Sequence, residues 1–346
     1  MYKFLKRFTI ALFIWLVFFS IVDKLRANEI YVAQSGSNVD LDITQDGENN
    51  QVEGLSGSGY AIVYGNNTTA TFTQTGDNNQ IRVWSDSSSG KKTDVSQTGN
   101  NNISLADNHG QDNTIITNVT GNNNYTFDEI GNGGDTDNTI TTTVNGDSNN
   151  VIAEVQNGDN NTIDVQVQSQ DSNIVRVYVN GDSNNVKAWQ GKHENGTVDV
   201  DETGDNDVYW YITGNSNTVA SYQTDDNSDG GQYSWNDIDG SSNTIEITQR
   251  GAGNHRSILD INGDSNDIEV TQRGNNDYQT STITVDDGHT VDVFQRYGSH
   301  TSSINLTNSG GGYNLDLNQT ATTDQSYSLT GYCSNSSGCN VTVNQN

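Results

Sequence analysis

The feature that most constrains this chain is a spacing of 23 residues in its last third. Gln249, Gln272 and Gln295 are 23 apart, and an arginine follows each of them. An acid lies three residues before each glutamine, and Ile or Val flanks each acid. A fixed period of about 20–50 residues is typical of stacked-repeat proteins. The spacing therefore predicts an extended rod, which favours a surface or a fibre unit over an enzyme with a pocket.

Short alternating runs between turn signals predict β-strands. Over residues 138–144 and 161–167, every second position holds Asn and then three β-branched residues. Period two indicates strands, and the Gly and Asn residues between the runs supply the positive φ angles of tight turns. Two half-repeats make one unit, so the sequence predicts an all-β fold: a two-sided β-solenoid of ~23-residue strand–turn–strand–turn repeats.

The inward positions predict a thin core lined by stacked amides. Hydrophobic residues make up 31% of the 346 residues, and proline is absent. Proline cannot donate to a sheet ladder, so its absence fits strands that pair on both sides. Low hydrophobicity with a net charge of −29 is also a signature of disorder, which the strict alternation argues against. Inward Asn and Gln would bond to their own kind on rungs ~4.8 Å apart, and about 13 rungs would give a rod of ~60 Å.

Composition divides the chain into three parts. Residues 1–27 place basic residues before an apolar run and are predicted to be a cleaved secretory signal peptide. A membrane anchor is the alternative, although the run is short for a span of ~20 residues. Residues 28–319 form the repeats, with loop insertions at 131–137 and 225–231. We expect residues 320–346 to be an irregular C-terminal cap with a final strand over 341–345.

The two cysteines, Cys333 and Cys339, lie near the C-terminus. In an exported protein they would meet an oxidising compartment, where a small-loop disulfide is expected. Two free thiols are the alternative.

The turns resemble the curlin repeat of bacterial curli subunits, which has Gln-x-Gly-x-x-Asn at its first turn. The matching residues are Gln45, Gly47 and Asn50; Gln74, Gly76 and Asn79; Gln97, Gly99 and Asn102; and Gln249, Gly251 and Asn254. Gln272 and Gly274 match with Asp277 in the last place. The resemblance implies a secreted, amyloid-like fibre subunit at the cell surface. It also implies self-association, a role in adhesion and the biofilm matrix, and export through an outer-membrane channel.

The chain departs from the curlin pattern in three respects. It has more rungs than a typical curli subunit, it lacks the Gly-rich segment after the signal, and its Asp content is much higher. The missing segment leaves the export route open. A net charge of −29 opposes end-to-end stacking by self-repulsion. A soluble monomeric rod is therefore the alternative to a slow, salt-dependent polymer.

Two charged clusters are candidate ligand sites. Arg250, Arg273 and Arg296 should stack at a turn rim as an anion strip for acidic or sulfated extracellular glycans, although neutralisation by nearby turn acids is the favoured interpretation. A segment with Asp225, Asn227 and Asp229 fits the first half of a calcium loop. Its twelfth position is an asparagine instead of the bidentate glutamate, so an acidic surface loop is favoured and no metal is predicted.

No catalytic constellation is present in the sequence. The five histidines are scattered without metal-ligand spacing, and there is no phosphate loop or nucleophile elbow. We expect no enzyme activity, no cofactor and no nucleic-acid partner. The leading prediction is a secreted structural protein, either a fibre subunit or a surface adhesin. The alternatives are a soluble glycan-binding rod of a fibre or spike and a polysaccharide-acting solenoid enzyme.

Overall fold

The chain folds as a β-solenoid in which two parallel sheets face each other. A computed structural model describes residues 27–55, 59–85, 90–131, 134–168, 173–191, 206–224, 231–251, 255–274, 279–284, 287–296, 298–307, 312–320, 322–332 and 338–345. These residues contain strands and turns and no helix. Successive turns of the solenoid are about 24 residues apart. The predicted two-sided strand–turn–strand–turn solenoid is therefore confirmed.

The two sheets divide the strands of the described residues between them. Sheet 1 contains β1 (Glu29–Ile30), β2 (Val32–Gln34), β4 (Gln51–Glu53), β5 (Ala61–Val63), β7 (Gln80–Ser85), β9 (Ile103–Asn108), β11 (Tyr125–Ile130), β13 (Asn150–Asn157), β15 (Ile174–Asn180), β17 (Asn206–Val208), β18 (Ile212–Thr213), β20 (Gln232–Trp235), β21 (Ile238–Asp239), β23 (His255–Ile258), β25 (Gln279–Thr284), β27 (His300–Thr307) and β29 (Gln325–Tyr332). Sheet 2 contains β3 (Asp40–Asp46), β6 (Thr69–Thr75), β8 (Lys92–Thr98), β10 (Thr114–Thr120), β12 (Thr139–Asn145), β14 (Thr162–Val167), β16 (Asn185–Gln190), β19 (Thr218–Thr224), β22 (Thr244–Arg250), β24 (Asp267–Arg273), β26 (Thr290–Gln295), β28 (Tyr313–Gln319) and β30 (Cys339–Gln345).

Each strand pairs with its counterpart one repeat away, so the 23-residue spacing becomes a stacking register. Gln249 on β22 lies opposite Gln272 on β24, which lies opposite Gln295 on β26. The 13 strands of sheet 2 in the described residues set a rod length of ~58 Å at ~4.8 Å per rung. Equivalent residues of neighbouring repeats therefore form straight columns along the rod.

The core lies between the two sheets and is filled by alternate residues of every rung. In β14, Ile163, Val165 and Val167 are fully buried, and the residues between them face outward. The buried apolar side chains form one continuous cluster along the described rod. Burying a side chain of this size contributes about 1.5–3 kcal/mol. Two larger residues, Phe72 and Trp210, also fit completely inside.

The tight turns follow a four-residue pattern that begins with Gly and ends with a buried Asn. Gly76 has φ +105°, and Asn78 has φ +59°. A Cβ on Gly76 would lie 2.2 Å from the carbonyl oxygen of Gly99 on the next rung. The buried Asn79 side chain donates its Nδ2 hydrogen to that same carbonyl oxygen at 2.7 Å. Glycine is required here because the turns stack in direct contact, and Asn then satisfies the carbonyl.

Many acidic residues have a structural role in these turns. The Asp77 Oδ1 atom accepts a hydrogen bond from the backbone N–H of Glu48 at 2.8 Å. The Asp182 Oδ1 atom accepts one from the N–H of Asp159 at 2.9 Å. The same contact to the preceding rung recurs at Asp147, Asp159, Asp264 and Asp287. Part of the high Asp content therefore reflects turn stacking and not a ligand site.

The C-terminal segment is more regular than the sequence predicted. We expected an irregular cap over 320–346, but β29 pairs with β27 along its whole length, and β30 pairs with β28. The pattern was missed because the inward positions of β29 include Gln325 and Gly331 beside Tyr327 and Leu329, so few apolar residues mark the period. The expected final strand lies within β30.

Several predictions fall on residues outside the described ranges. Residues 1–26, which contain most of the predicted signal peptide, are among them. Within the described ranges, no helix is long and apolar enough to cross a membrane. Cys339 is disulfide-bonded, but Cys333 lies outside the described residues, so the pairing stays a prediction.

Candidate assembly site at the amide ladder and the open edges

The glutamines that defined the repeat lie inside the solenoid. Gln249, Gln272 and Gln295 are fully buried. The Gln249 Nε2 atom donates to Gln272 Oε1 at 2.8 Å, and Gln249 Oε1 accepts from Gln223 Nε2 at 2.8 Å. Gln249 Nε2 also donates to the carbonyl oxygen of Tyr233 on sheet 1 at 2.9 Å. Because Gln249 both donates and accepts, its polar groups are stable in a core that would otherwise exclude them.

The same column holds a second set of glutamines at the N-terminal end. The Gln45 Nε2 atom donates to Gln74 Oε1 at 2.7 Å, and Gln74 Nε2 donates to Gln97 Oε1 at 3.2 Å. Three valines then occupy the column and interrupt the ladder: Val119, Val144 and Val167. The ladder resumes at Gln190. The sequence did not reveal that these valines and glutamines share one column.

The glutamine ladder has a direction. In each Gln–Gln bond given above, the Nε2 donor lies on the rung nearer the N-terminus. The last bond, from Gln319 to Gln345 at 2.6 Å, runs the same way. The ladder is broken at Gln295 and Gln319, whose Oε1 atoms have no hydrogen-bond partner among the described residues, and Gln45 Oε1 at the N-terminal end has none either. The ladder therefore ends in an acceptor at one end and in the Nε2 donor of Gln345 at the other.

Both ends of the described rod are open sheet edges. Strand β3 pairs with β6 on one side only, and β30 pairs with β28 on one side only, within the part of the chain that the structure describes. Edge strands of this kind present unpaired N–H and C=O groups that can template another chain. The inward side chains Ile43 and Val343, at opposite ends, are only partly buried.

The two edges differ in charge. Strand β3 carries Asp40, Asp42 and Asp46, whereas β29 and β30 contain no charged residue. Like charges directly opposite each other on neighbouring strands are unfavourable. Contact between two N-terminal edges would oppose acid to acid, but contact between a C-terminal and an N-terminal edge would not. The edges are thus electrostatically suited to head-to-tail contact.

The other glycines and asparagines of the predicted repeat lie where the stacking needs them. The φ angles of Gly47, Gly76, Gly99 and Gly251 lie between +102° and +119°. Gly274 directly follows β24 and is buried. Asn50, Asn79 and Asn102 are buried and linked, because Asn102 donates its backbone N–H to Asn79 Oδ1 at 3.0 Å. Asn254 lies outside the described residues.

The arginines stack as columns on the outside of sheet 2. Arg250 lies opposite Arg273, and Arg296 follows Gln295 on the next rung. A column of acids runs parallel to them, and burial, followed by the charges of Glu269 and Asp316, raises the pKa of Asp292. Four residues along a strand span ~13 Å, so acid and arginine on one strand are not in contact. The anion strip stays a prediction.

The candidate calcium ligands Asp225, Asn227 and Asp229 lie outside the described residues. Within the described residues, no group of three or more His, Cys, Asp or Glu side chains could hold a metal ion.

Sequence reasoning missed the buried carboxyl group of Asp128. Asp128 is fully buried and accepts hydrogen bonds from the hydroxyls of Thr142, at 2.7 Å, and Thr117. Burial raises the pKa of Asp128 to about 7, although the two threonine hydroxyls act in the opposite direction. Its burial could have been predicted from its position, because Asp128 lies two residues from both Thr126 and Ile130 in the alternation that faces the core.

A buried histidine also occupies a position that holds a buried asparagine on the earlier rungs. His289 is buried, and its backbone N–H donates to Asn266 Oδ1 at 2.8 Å. Its Nδ1 atom accepts from the backbone N–H of Tyr313 at 2.9 Å. An asparagine Oδ1 makes this contact on earlier rungs, so His289 extends the column of buried asparagines by one rung. His289 therefore helps to hold neighbouring rungs together.

A stacked β-solenoid with open edges defines the class of protein: a repeat protein built from stacked strand–turn units. Residues 240–274 match the family model of the curlin associated repeat. This segment includes β22, β24 and the turns at Gly240, Gly251 and Gly263, and it confirms the resemblance there. A search of curated proteins found no match, and a search of solved structures found none either. The repeat and the fold fit a curli-like structural fibre subunit.

Proposed function

We propose that this protein is a secreted, curli-like fibre subunit whose rods stack end to end, each C-terminal edge on the N-terminal edge of the next copy. It is structural and not an enzyme. The observation that carries the proposal is that the two open edges match in phase, amide direction and charge. Export is supported by the signal-like residues 1–27.

The phase match follows from the strand register within the rod. If β30 of one copy stacks on β3 of the next as β28 stacks on β30, apolar residues meet apolar residues and Gln meets Gln. The pairs brought together are Val341 with Leu41, Val343 with Ile43, and Gln345 with Gln45. The Gln345 Nε2 donor would then reach the Gln45 Oε1 acceptor, which lacks a partner within the described rod. Stacking continues the ladder without a change of direction.

Charge sets the rate of this stacking. The net charge of −29 repels approaching copies at long range. The Debye length falls from ~30 Å at 0.01 M to ~8 Å at 0.15 M salt, so screening permits close approach. At contact, Asp40 and Asp42 face the neutral Asn340 and Thr342 positions. Fibre growth should therefore be slow at low salt and faster with added salt or mild acid.

The test is fibre formation by the purified mature protein, followed by thioflavin fluorescence and electron microscopy across a salt series. Val343→Asp places a charge inside the stacking edge and should abolish fibres. Asp42→Asn should accelerate growth, and Thr342→Asp, which creates an acid opposite Asp42 of the next copy, should slow it until salt is added. Thr141→Asp adds the same charge in the middle of sheet 2 and should match the wild type.

Two outcomes would overturn the proposal. One is a monodisperse rod at every salt concentration and at pH 4. The other is an equal delay in Thr141→Asp and Thr342→Asp, which would show that total charge governs growth and that the edges are not in contact.

We extend the proposal to the cell surface, where such fibres would serve adhesion and the biofilm matrix after export through an outer-membrane channel. Cells that secrete the Val343→Asp variant should retain the protein in the medium but lose surface fibres and biofilm mass. Unchanged biofilm mass without fibres would remove the biofilm role and leave the fibre proposal standing.

A further inference from the structure

The outer face of sheet 1 carries a cluster of aromatic rings that the stacking of rods does not use. Tyr178, Tyr209, Tyr211, Tyr233 and Trp235 lie on three successive rungs, and we call them the aromatic strip. All five face outward and are half-buried or exposed, with Trp235 42% exposed. An exposed cluster of large aromatic residues on a soluble surface marks an interaction site.

The rings of the strip are in mutual contact. Tyr178 and Tyr211 stack with ring centroids 5.0 Å apart and an interplanar angle of 11°. Tyr209 lies 5.7 Å from Tyr233 and 6.4 Å from Trp235, and Tyr211 lies 6.5 Å from Trp235. These are the distances at which aromatic pairs attract each other. The strip is therefore a fixed surface, and a ligand would find it already ordered.

Polar groups of both signs border the rings. The Arg176 Cζ atom lies 5.2 Å from the centroid of the Tyr209 ring, and the Arg256 Cζ atom lies 5.7 Å from that of Tyr233. The Tyr209 hydroxyl donates to Asp207 Oδ2 at 3.4 Å. Burial raises the pKa of Tyr209 above its usual range, so its hydroxyl keeps its proton at neutral pH. The strip thus offers apolar faces next to hydrogen-bond donors and acceptors.

The backbone beneath the strip is unusual. Tyr211 has φ +136°, and the ladder of sheet 1 is interrupted between β17 and β18, around the fully buried Trp210. A non-glycine residue in this region costs of order 1–3 kcal/mol and occurs most often at binding and catalytic sites. The strain coincides with the centre of the aromatic strip.

The outward surface around the strip is linear. Toward the N-terminus its columns contain Ile174, Ile152 and Phe127, with Asp207 and Arg176 between them and the rings, and toward the C-terminus Ile258 follows Trp235. The Tyr178 column continues with the acids Glu154 and Glu129. From Phe127 to Ile258 this surface follows the rod axis over six rungs, ~24 Å at ~4.8 Å per rung. A long, open surface of this shape suits a chain-like ligand better than a small molecule, which needs an enclosing pocket.

From this arrangement we infer that the aromatic strip binds an uncharged polysaccharide laid along the rod. Sugar rings have apolar C–H faces and a rim of hydroxyls, which match aromatic rings bordered by Arg176, Asp207 and Arg256. A purely apolar partner would desolvate these charged groups without hydrogen bonds, at a cost. Polyanions such as nucleic acids or acidic glycans would be repelled by the net charge of −29. The site is separate from the rod ends, so it does not depend on fibre formation.

The test is affinity electrophoresis of the full chain, kept at low salt, in gels containing hydroxyethyl cellulose or carboxymethyl cellulose, supported by sedimentation with insoluble cellulose. We expect retardation by the uncharged polymer and weaker retardation by the anionic one. Trp235→Ala and Tyr209→Ala should each weaken binding roughly tenfold, the effect of losing about one aromatic contact. Trp235→Phe keeps a ring and should retain most of the binding.

Tyr64→Ala is the matched control, because Tyr64 is an exposed tyrosine outside the strip. It should bind like the wild type, and all variants should stay folded, with thermal midpoints within about 5 °C of the wild type. The inference is overturned if the wild type binds no uncharged glycan or if Tyr64→Ala loses as much binding as Trp235→Ala. It is also overturned if Trp235→Ala changes only the sedimentation of the protein alone, which would make the strip a lateral contact between copies.

Discussion

The carboxyl group of Asp128 accepts a hydrogen bond from the Thr142 hydroxyl at 2.7 Å across the core, from one sheet to the other. Ala106 and Ala153 are its neighbours on the adjacent rungs of sheet 1. Small side chains above and below leave room for the carboxyl, and the threonines of the facing sheet provide its hydrogen bonds. This pair links the sheets at a point where the Gln ladder is interrupted.

Asp128 should make the rod more stable in mild acid than at neutral pH. In the unfolded chain its carboxyl loses the proton near its ordinary pKa of 3.8, whereas the folded protein holds it until about pH 7. The free energy of unfolding should therefore fall as the pH rises from about 4 to about 7, by at most ~4 kcal/mol at ~1.4 kcal/mol per pKa unit. Denaturation of Asp128→Asn alongside the wild type measures this, because both proteins carry the same other titratable groups. Parallel pH profiles would contradict it.

Stacked turns predict a graded series of glycine substitutions. Gly76→Ala meets both a positive φ and the Gly99 carbonyl at 2.2 Å, and should destabilise the rod by more than about 2 kcal/mol. Gly288→Ala has a positive φ but no atom within 4 Å, and should cost about 1–2 kcal/mol. Gly134→Ala, which has neither problem, should be close to neutral. Thermal and urea denaturation give the order, and equal effects at Gly76 and Gly134 would count against direct stacking.

The amide ladder should respond non-additively to substitution. Gln249→Val removes the acceptor of Gln223 Nε2 and the donor to Gln272 Oε1, and should cost about 1–3 kcal/mol because polar groups are left unpaired. Replacing Gln223, Gln249 and Gln272 together should cost clearly less than three single substitutions, since each change removes an unpaired neighbour. Val119, Val144 and Val167 show that the column accepts valine on consecutive rungs. Additive costs in denaturation experiments would contradict a bonded ladder.

We expect a disulfide between Cys333 and Cys339 in the secreted protein. If the chain is exported, a disulfide between them should hold the final strand β30 and contribute about 2 kcal/mol by closing a short loop. Non-reducing peptide mapping of secreted protein should find the cross-linked peptide. Two alkylatable thiols in that material would remove both the disulfide and one support for export.

The sequence predicted the fold because its strongest signals are those that stacking imposes. Gln249 and Gln272 recur at 23 residues because they are neighbours on adjacent rungs, and glycine recurs because turns in contact leave no room for a Cβ. The aromatic strip was not predicted, because Tyr178 and Tyr211 are adjacent in space but 33 residues apart. An insertion between their rungs hides the period. The strip could have been predicted in part from two pairs of aromatic residues. Tyr209 with Tyr211, and Tyr233 with Trp235, are each two residues apart and so share the outward face of a strand.

Only part of the charge distribution along the rod could be predicted from the sequence. Net charge suggested repulsion between all ends, but the structure places Asp77 and Asp182 in turn contacts and leaves β29 and β30 neutral. The position of a charge along the rod, and not the total, determines what the ends meet.

The buried residues that differ from rung to rung have a consequence for folding fidelity. A solenoid folds by adding one strand at a time to a neighbour that closely resembles it, so a slip by one whole period leaves every apolar side chain inside. A slip between β22 and β24 would cost little free energy, because Ile245, Gln249 and Arg250 each lie opposite a residue of the same type. Phe72 and Asp128 meet different residues on both adjacent rungs. Residues of this kind make one threading of an otherwise repetitive chain more stable than its shifted copies.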